Sequence, residues 1–340
     1  MKNFIMDVLK LLFKKDPVTY TGMFIVVTSG VVGYSFSISY DANDKLAMTV
    51  ETGFSLIGTF FMTVGVLILV LRAFNLLKKH SLLFYGHGLK KMNPKSPIES
   101  IPFYNRPSTE PVLLKISDSY NRQEVIDFYN RYDSIVHERA FNSHVIKNYV
   151  AALGGFPYLF LIGSMFRDAY DNQIGIMDFD RTKNGGVWYE LPAYRDAKEP
   201  LTHELMYQDG VSIENEIARL KEFNEVAIAL SYTFSIEKNT IEENLRDKTL
   251  YLKLSTGHGH DKLCDAESQG IVLKDLSSYI AALSGRDKKA HLYVSAQSSV
   301  CVNIGRMYMN NAHGNLVLHN YDHNDASNNW SICFSKGVVS

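Results

Sequence analysis

Polar side chains that follow apolar runs carry most of this chain's capacity for chemistry. In the C-terminal part, hydroxyl, amide, imidazole and carboxylate groups lie where such runs end: Ser231, Thr233, Ser235, His258, Ser295, Gln297, Ser298, Ser299, Tyr321 and Asp322. Groups of this kind, together with helix N-termini, suit the bases, riboses and phosphates of a nucleotide. We interpret the set as a ligand-binding site. The alternative for Ser298 and Ser299 is that they only cap the helix that begins near Val300.

A second polar and aromatic cluster lies further upstream. Asp180 and Arg181 offer a carboxylate and a guanidinium that matches phosphate geometry, although a local salt bridge in a turn explains the pair equally well. Trp188, like Tyr321, could stack on a base. Core packing is the stronger interpretation for the tryptophan. We include Asp180, Arg181 and Trp188 in the predicted ligand site.

Competing chemistry has little support in the sequence. In the segment GHGHDKLC, His258, His260 and Cys264 could bind a metal ion, but no fourth ligand is evident, and we expect no metal site. The signatures GxxxxGK[ST], GxSxG and HExxH do not occur. We therefore expect no catalytic residues, no cofactor and no enzymatic activity.

A duplicated unit organises the C-terminal part of the chain. Residues 156–191 align with residues 298–333 without a gap, at an offset of 142. Ile162, Gly163 and Met165 then coincide with Ile304, Gly305 and Met307, and the two tryptophans of the chain, Trp188 and Trp330, also coincide. Each copy reads as a helix, a turn and a short strand. Duplication implies pseudo-twofold packing, and the surface between the halves is a natural ligand cleft.

The elements before the second copy alternate between strand and helix patterns. Strands are predicted at 226–234, 249–254 and 290–295, with a helical stretch from Ile236 and another over 276–283. The order βαβαβαβ predicts a parallel sheet with right-handed crossovers, whose ligands bind at the carboxyl ends of the strands. The polar positions named first lie at those ends.

Overall composition bounds the class of protein. The chain has 340 residues, a formal net charge of −1 and 21% charged residues, which is typical of a globular protein. Nothing in this balance favours a polyanion partner, so we expect no binding to DNA or RNA duplexes. Three scattered cysteines, Cys264, Cys301 and Cys333, argue against a disulfide framework and favour a reducing compartment.

Two long apolar runs precede residue 80. Residues 20–39 and 52–71 contain no charged residue, and each matches the roughly 20 residues that a helix needs to span a bilayer. Ten Lys or Arg residues lie before the first run or after the second run. The loop between the two runs contains only one, Lys45. The positive-inside rule then places both termini in the cytosol, with two helices in the membrane and the loop between them on the outer side. The alternative is a buried helical hairpin.

The remaining segments give the predicted domain boundaries. Residues 1–16 form a basic, amphipathic leader, interpreted as a helix at the headgroup layer or a leader that only sets topology. The predicted modules that follow are the two-helix transmembrane module 17–80, a Pro-rich linker 81–111, a first and degenerate half 112–224, and a second half 225–340. Five of the nine prolines lie within residues 92–111, which supports the linker.

The C-terminal residues resemble a known family. The runs HLYVSAQSSVCVNIGRM and LVLHNYD, VAIALSYTFSI before them, and GFPYLFLIGSMF with IGIMDFDRT upstream are similar to the SAVED domain, a fused pair of CARF-like units. The resemblance covers roughly residues 145–336. It implies an α/β fold in which an N-terminal transmembrane helical hairpin precedes a cytosolic SAVED-like domain of two fused CARF-like Rossmannoid units with pseudo-twofold symmetry.

A SAVED domain behind two apolar runs resembles the two-transmembrane SAVED effectors of bacterial CBASS anti-phage systems. This resemblance implies a cyclic di- or trinucleotide as activating ligand, a homo-oligomer on activation, and a lipid bilayer that the transmembrane helices disrupt in abortive infection. Two alternatives stay open: a membrane-anchored CARF-like ring nuclease that degrades a cyclic oligonucleotide, and a structural membrane scaffold that binds no nucleotide.

Overall fold

The fold is given by a computed structural model, which describes residues 22, 24–25, 35–40, 46–51, 60–70, 80–88, 96–102, 105–116, 121–169, 173–180, 186–191, 205–207, 212–259, 263, 266–285, 288–321 and 329–340. The chain divides into two compact units, Met1–His80 with Pro102–Thr109, and Ser81–Ile101 with Glu110–Ser340. The predicted leader 1–16 and the predicted site residues Arg181 and Asp322 lie outside the described residues, as do His260 and Cys264.

In the first unit, strand β1 (Ser35–Tyr40) pairs antiparallel with β2 (Leu46–Glu51). A helix covers residues 60–70. The prediction of a helix over residues 20–39 is therefore wrong for residues 35–39. The physical reason is a period of two, since serines at 35, 37 and 39 alternate with large residues, which favours a strand.

Among the residues that the structure describes, no helix has both the length and the apolar character needed to cross a membrane. Most of residues 20–34, and residues 52–59 and 71 of the second apolar run, lie outside the described residues.

The second unit contains a five-stranded sheet with the order β4-β3-β5-β6-β7. Its strands and the helices near them are β3 (His80–His87), β4 (Thr109–Lys115), α1 (Arg122–Ala140), β5 (Val145–Leu153), α2 (Phe156–Ser164), β6 (Ile174–Asp180) and β7 (Val187–Glu190). Strand β5 runs parallel to β6, and β7 runs antiparallel to β6. Short 3-10 turns cover Pro97–Ser100 and Arg106–Ser108.

The predicted linker 81–111 differs from this structure. Its first residues belong to β3, which lies between β4 and β5 in the sheet. Leu82, Leu83 and Phe84 are at most 1% exposed, because both faces of this strand are covered. Three consecutive apolar residues are the pattern of a strand buried on both faces, and the prolines begin only after it.

A seven-stranded sheet of order β14-β13-β12-β11-β9-β10-β8 forms the rest of the second unit. Its elements are β8 (Leu205–Tyr207), α3 (Ile213–Leu220), β9 (Glu225–Ser231), β10 (Thr249–Leu254), α4 (Ala266–Leu283), β11 (Lys289–Ser295), α5 (Ser298–Arg306), β12 (Asn315–Asn320), β13 (Trp330–Ser335) and β14 (Val338–Val339). The four central strands β12, β11, β9 and β10 are parallel, which confirms the predicted parallel sheet.

The helix predicted from Ile236 is wrong. The segment between β9 and β10 instead forms 3-10 turns at Lys238–Thr240 and Glu243–Lys248. Its apolar residues Ile236, Ile241 and Leu245 are five and four positions apart, and the step of five breaks the spacing of a helical face. These three side chains are buried with Ala227 and Ala229 of β9.

The duplication is visible in the packing of two helices. Helices α2 and α5 are nine residues long each, begin 142 residues apart, and pack against each other. A Cβ atom added to Gly163 would lie 1.8 Å from the carbonyl oxygen of Val302, and one added to Gly305 would lie 1.9 Å from that of Phe160. Gly163 is offset by 142 from Gly305, and Phe160 from Val302, so the two contacts are equivalent. This reciprocity is the signature of a twofold-like interface within one chain.

Candidate functional site

The carboxyl ends of β9 and β11 are joined by hydrogen bonds. The amides of Tyr232 and Thr233 both donate to the carbonyl oxygen of Ser295, at 2.8 and 2.9 Å. The hydroxyls of Thr233 and Ser295 are 3.1 Å apart, and the amide of Phe234 donates to the Ser295 hydroxyl oxygen at 3.1 Å. Ser231 ends β9 and accepts from the amide of Ile236 at 3.0 Å, which turns the chain away from the sheet. Three predicted site residues, Ser231, Thr233 and Ser295, therefore lie together.

The loop after β10 is attached to the same place. A ring nitrogen of His258, Nδ1, lies 3.1 Å from the carbonyl oxygen of Ser231, and the amide of Gly259 donates to that of Tyr232 at 3.0 Å. Gly257 has φ of 78°, a left-handed conformation that glycine adopts without strain, and it lets the loop fold back over the end of β9. His258 as a residue is exposed to solvent.

Exposed aromatic rings accompany these polar groups. Phe234, after β9, is 63% exposed, and Tyr321, after β12, is 50% exposed. Strand β11, which ends in Ser295, lies between β12 and β9 in the sheet. Tyr321, Ser295 and Phe234 thus follow three neighbouring parallel strands at one edge. We name this group of residues at the strand ends the carboxyl edge. Its members are Thr233, Phe234, Ser235, Ser255, Thr256, His258, Ser295 and Tyr321.

A buried carboxylate links the two halves of the second unit. Asp178 of β6 is 4% exposed. Its Oδ2 accepts a hydrogen bond from the hydroxyl of Ser299 at 2.7 Å and another from the amide of Gln297 at 3.2 Å. Its Oδ1 accepts from the amide of Phe179 at 2.9 Å. Because Gln297 and Ser299 lie at the N-terminus of α5, the helix dipole adds to the stabilisation of this charge.

The network extends along α5. Gln269 of α4 donates to the Ser299 hydroxyl oxygen at 2.9 Å and accepts from Asn303 at 2.9 Å. Burial, and then the nearby charge of Asp178, raise the pKa of the Cys301 thiol. That thiol stays protonated near neutral pH and is unsuited to nucleophilic chemistry.

The network changes the interpretation of three predicted ligand residues. Gln297, Ser298 and Ser299 are 8%, 9% and 0% exposed, and two of them bond Asp178. Capping was the alternative interpretation for the serines. Helix α5 begins at Ser298 and its N-cap residue is Gln297, so neither serine caps the helix, and Ser299 instead donates to a carboxylate of the other half.

The remaining predicted residues have different surroundings. Trp188 is 3% exposed and packs on Phe179 and Tyr85, with ring centroids 5.1 and 5.9 Å apart, so its position favours core packing. Asp180 ends β6 and is partly buried. Sequence reasoning missed Asp178 and Gln269. The signal for Asp178 was an acidic residue inside the apolar run IGIMDF, where burial without partners is costly.

A cavity of about 420 Å³ lies at the opposite end of α5. Its lining includes the basic side chains Arg167 and Arg306, together with Glu190 and Asn303. Arg306 donates to the Asn303 side chain at 3.1 Å. This cavity lies between the two halves and provides a second polar recess, distinct from the carboxyl edge.

Comparison with known proteins identifies the family. Residues 128–334, more than half of the chain, match the family described as the SMODS-associated and fused to various effectors sensor domain, or SAVED. The chain belongs to the SAVED family. This finding agrees with the resemblance seen in the sequence, and the matched SAVED residues include both duplicated helices, α2 and α5.

Several solved structures are similar to this SAVED protein. The Acinetobacter baumannii Cap4 SAVED/CARF-domain containing receptor with the cyclic trinucleotide 2'3'3'-cAAA is 11% identical, with 82% of this chain and 56% of that chain covered at a TM-score of 0.47. The same receptor with the cyclic trinucleotide 3'3'3'-cAAA is 12% identical, with 81% of this chain and 56% of that chain covered at a TM-score of 0.46. The Moraxella osloensis Cap4 SAVED/CARF-domain containing receptor is 12% identical, with 81% of this chain and 54% of that chain covered at a TM-score of 0.47. The chain spans just over half the length of these receptors. No curated protein matches it.

Proposed function

We propose that the SAVED domain binds a cyclic di- or trinucleotide at the carboxyl edge, and that binding drives oligomerisation of a membrane effector in anti-phage defence. The observation that carries the proposal is that two exposed aromatic rings and the partly buried hydroxyls of Thr233 and Ser295 lie at the carboxyl ends of three neighbouring parallel strands, in a chain of a sensor family. Parallel α/β sheets bind ligands at this end of their strands.

The chemistry of the carboxyl edge suits a nucleotide with several bases. Phe234 and Tyr321 present ring faces on which bases can stack, and stacking is worth about 1 to 3 kcal/mol per base. Thr233, Ser295 and His258 offer hydroxyl and imidazole groups for ribose and phosphate oxygens. The hydrogen bonds that join the ends of β9 and β11 hold these groups in place before any ligand arrives, which reduces the entropy lost on binding.

The first prediction concerns Phe234. Phe234→Ala is expected to weaken the binding of the activating cyclic oligonucleotide about 10-fold or more, since a lost stacking contact of 1.4 kcal/mol is a factor of ten. The measurement is calorimetric titration of the chain in detergent or nanodiscs against a panel of cyclic di- and trinucleotides. The side chain is 63% exposed, so the variant should keep the parental melting temperature.

A matched control separates lost stacking from a general loss of apolar surface. Leu113 of β4 is 57% exposed and lies on the other sheet, and Leu113→Ala should bind the ligand like the parent. If Phe234→Ala binds with parental affinity while Arg167→Ala does not, the ligand occupies the cavity that Arg167 lines, and the carboxyl edge is not the site. Analysis of the bound ligand after release tests the ring nuclease alternative, because a sensor returns its ligand intact.

The membrane part of the proposal rests on the sequence and one close contact. Two charge-free apolar runs are flanked by ten Lys or Arg residues, against one in the loop between them. Within the first unit, a Cβ atom added to Gly22 would lie 2.9 Å from the side chain of Leu69. Small residues at such contacts let two apolar helices approach closely. We propose that the first run up to residue 34 and the whole second run lie in the bacterial inner membrane, and that the activated oligomer disrupts it.

Reporter fusions give the second prediction. A reporter at Ser340 and one after Asp16 should both be cytoplasmic, whereas one inserted near Asn43 should be periplasmic, because basic residues are retained on the inner side. Paired alkaline phosphatase and green fluorescent protein fusions measure this. A periplasmic signal from the Ser340 fusion, or no membrane fraction at all, would contradict the proposed topology without affecting the proposal of ligand binding.

A further inference from the structure

Two histidines face each other on one face of the seven-stranded sheet. His291 of β11 pairs with Val317 of β12, so His319, two residues further along β12, lies on the same face. Nδ1 of His291 and Nε2 of His319 are 2.9 Å apart. The ring of Tyr293 stacks on that of His319, with centroids 4.0 Å apart and planes at 14°. His291 is 7% exposed, so the pair is largely removed from water.

Two carboxylates complete the group. Oε1 of Glu225, on β9, lies 2.9 Å from Nε2 of His291. Glu242 comes from the segment between β9 and β10, and a carboxylate oxygen of Glu242 and one ring nitrogen of each histidine all lie within 4.8 Å of one another.

The hydrogen bond to Glu225 determines which histidine nitrogen is available. A carboxylate accepts, so Nε2 of His291 carries the proton and Nδ1 presents its lone pair to His319. A neutral ring has one proton. When the proton of the His319 ring is on Nδ1, the lone pairs of His291 Nδ1 and His319 Nε2 and the carboxylate of Glu242 lie around one point.

We propose that Nδ1 of His291, Nε2 of His319 and the carboxylate of Glu242 bind a divalent transition metal ion, with Zn²⁺ as the best fit. Two imidazoles and one carboxylate are a ligand set that Zn²⁺ prefers, and hard cations such as Mg²⁺ prefer oxygen ligands alone. Zn–N bonds of about 2.0 to 2.1 Å at a tetrahedral angle need roughly 3.3 Å between the two nitrogens. The observed 2.9 Å requires only a small opening of the pair.

Glu225 acts on this site through His291. A carboxylate that accepts the second N–H of a metal-binding histidine fixes the ring orientation and increases the basicity of the other nitrogen. The fourth coordination position belongs to water, because Glu242 is exposed at the rim. The ion joins the segment between β9 and β10 to strands β11 and β12. That segment includes Thr233 and Phe234 near its start, so the metal stiffens one part of the carboxyl edge.

Cobalt substitution tests the site directly. The full chain, purified without a histidine tag and treated with EDTA, is titrated with Co²⁺, and Zn²⁺ affinity is measured by competition with the bound cobalt. One equivalent should give the visible d–d bands of a tetrahedral or five-coordinate ion, without the charge-transfer band of a thiolate. His319→Phe keeps a ring for the Tyr293 stack, and Glu242→Ala changes an exposed side chain; each should weaken Zn²⁺ binding more than 10-fold. Glu225→Ala should weaken it about 10- to 100-fold.

His258→Ala is the matched control, since it removes a histidine of the GHGHDKLC segment. It should bind Zn²⁺ with parental affinity. The proposal is overturned if His258→Ala abolishes binding, if a thiolate band appears, if Co²⁺ gives no d–d bands, or if His319→Phe and Glu242→Ala both bind like the parent. If Co²⁺ gives no d–d bands, the two histidines form only an N–H···N hydrogen bond.

Discussion

Gly305→Ala is expected to lower the melting temperature of the SAVED domain by roughly 10 °C or to prevent its folding. The new Cβ atom would lie 1.9 Å from the carbonyl oxygen of Phe160 and 2.9 Å from the amide nitrogen of Ser164. Both are backbone atoms of α2, so no side chain can rotate to make room. The helices must separate, and the buried residues around the crossing then lose contact. Overpacking of a core usually lowers the free energy of unfolding by about 1 to 3 kcal/mol. A clash with backbone atoms should cost an amount at or above the upper end of that range.

Gly270→Ala is the matched control for this prediction. Gly270 lies in α4, and a Cβ atom there meets no heavy atom within 4 Å. Alanine is the better helix former, so this variant should be more stable by up to about 1 kcal/mol. Thermal unfolding followed by circular dichroism compares the two. A Gly305→Ala protein that melts at the parental temperature would show that α2 and α5 do not cross at these glycines.

Asp178→Ala is expected to destabilise the domain by about 3 to 5 kcal/mol. The substitution removes the acceptor of three hydrogen bonds, from the hydroxyl of Ser299, the amide of Gln297 and the backbone of Phe179. The side-chain donors of Ser299 and Gln297 would lose this acceptor at buried positions, at about 1 to 3 kcal/mol each before relaxation. Urea denaturation measures the loss. Asp127→Ala, at an exposed position of α1, should stay within about 0.5 kcal/mol of the parent.

A double-mutant cycle shows whether the bond between the halves causes this effect. Ser299→Ala removes one donor and should cost less than Asp178→Ala. The combined variant should be less destabilised than the sum of the two single variants, by about 0.5 to 3 kcal/mol of coupling. Additive losses would mean that Asp178 and Ser299 do not interact, and the role assigned to the network would then be wrong.

Much of the fold was predictable because local patterns carried it. The strand predicted at 249–254 agrees with β10, and the offset of 142 pairs α2 with α5 residue for residue. The alternating order of strands and helices predicted the parallel sheet, and therefore the carboxyl ends of its strands as the place where polar residues lie together. The helix predicted from Ile236 failed because the spacing of Ile236, Ile241 and Leu245 does not keep one helical face, and these side chains instead pack onto β9.

The candidate site was predictable only in part, since its interior contacts join distant residues. Ser299 was recognisable as a residue near a helix N-terminus, but its partner Asp178 lies 121 positions away on the other sheet. His291 and His319 each occupy an ordinary strand pattern, and their pairing depends on the register of β11 against β12. No local rule gives that register from one sequence.

The separation of Gly163 and Gly305 also has a kinetic consequence. To form this contact the chain must close a loop of 142 residues, at an entropic cost of about 4 kcal/mol plus a constant. Contacts this distant along a chain form after the local ones, and a high contact order slows folding. Each half therefore has time to meet the complementary half of another molecule before its own. Since the two halves carry equivalent faces, an exchange of halves between copies is the misfolding route that this architecture favours at high concentration.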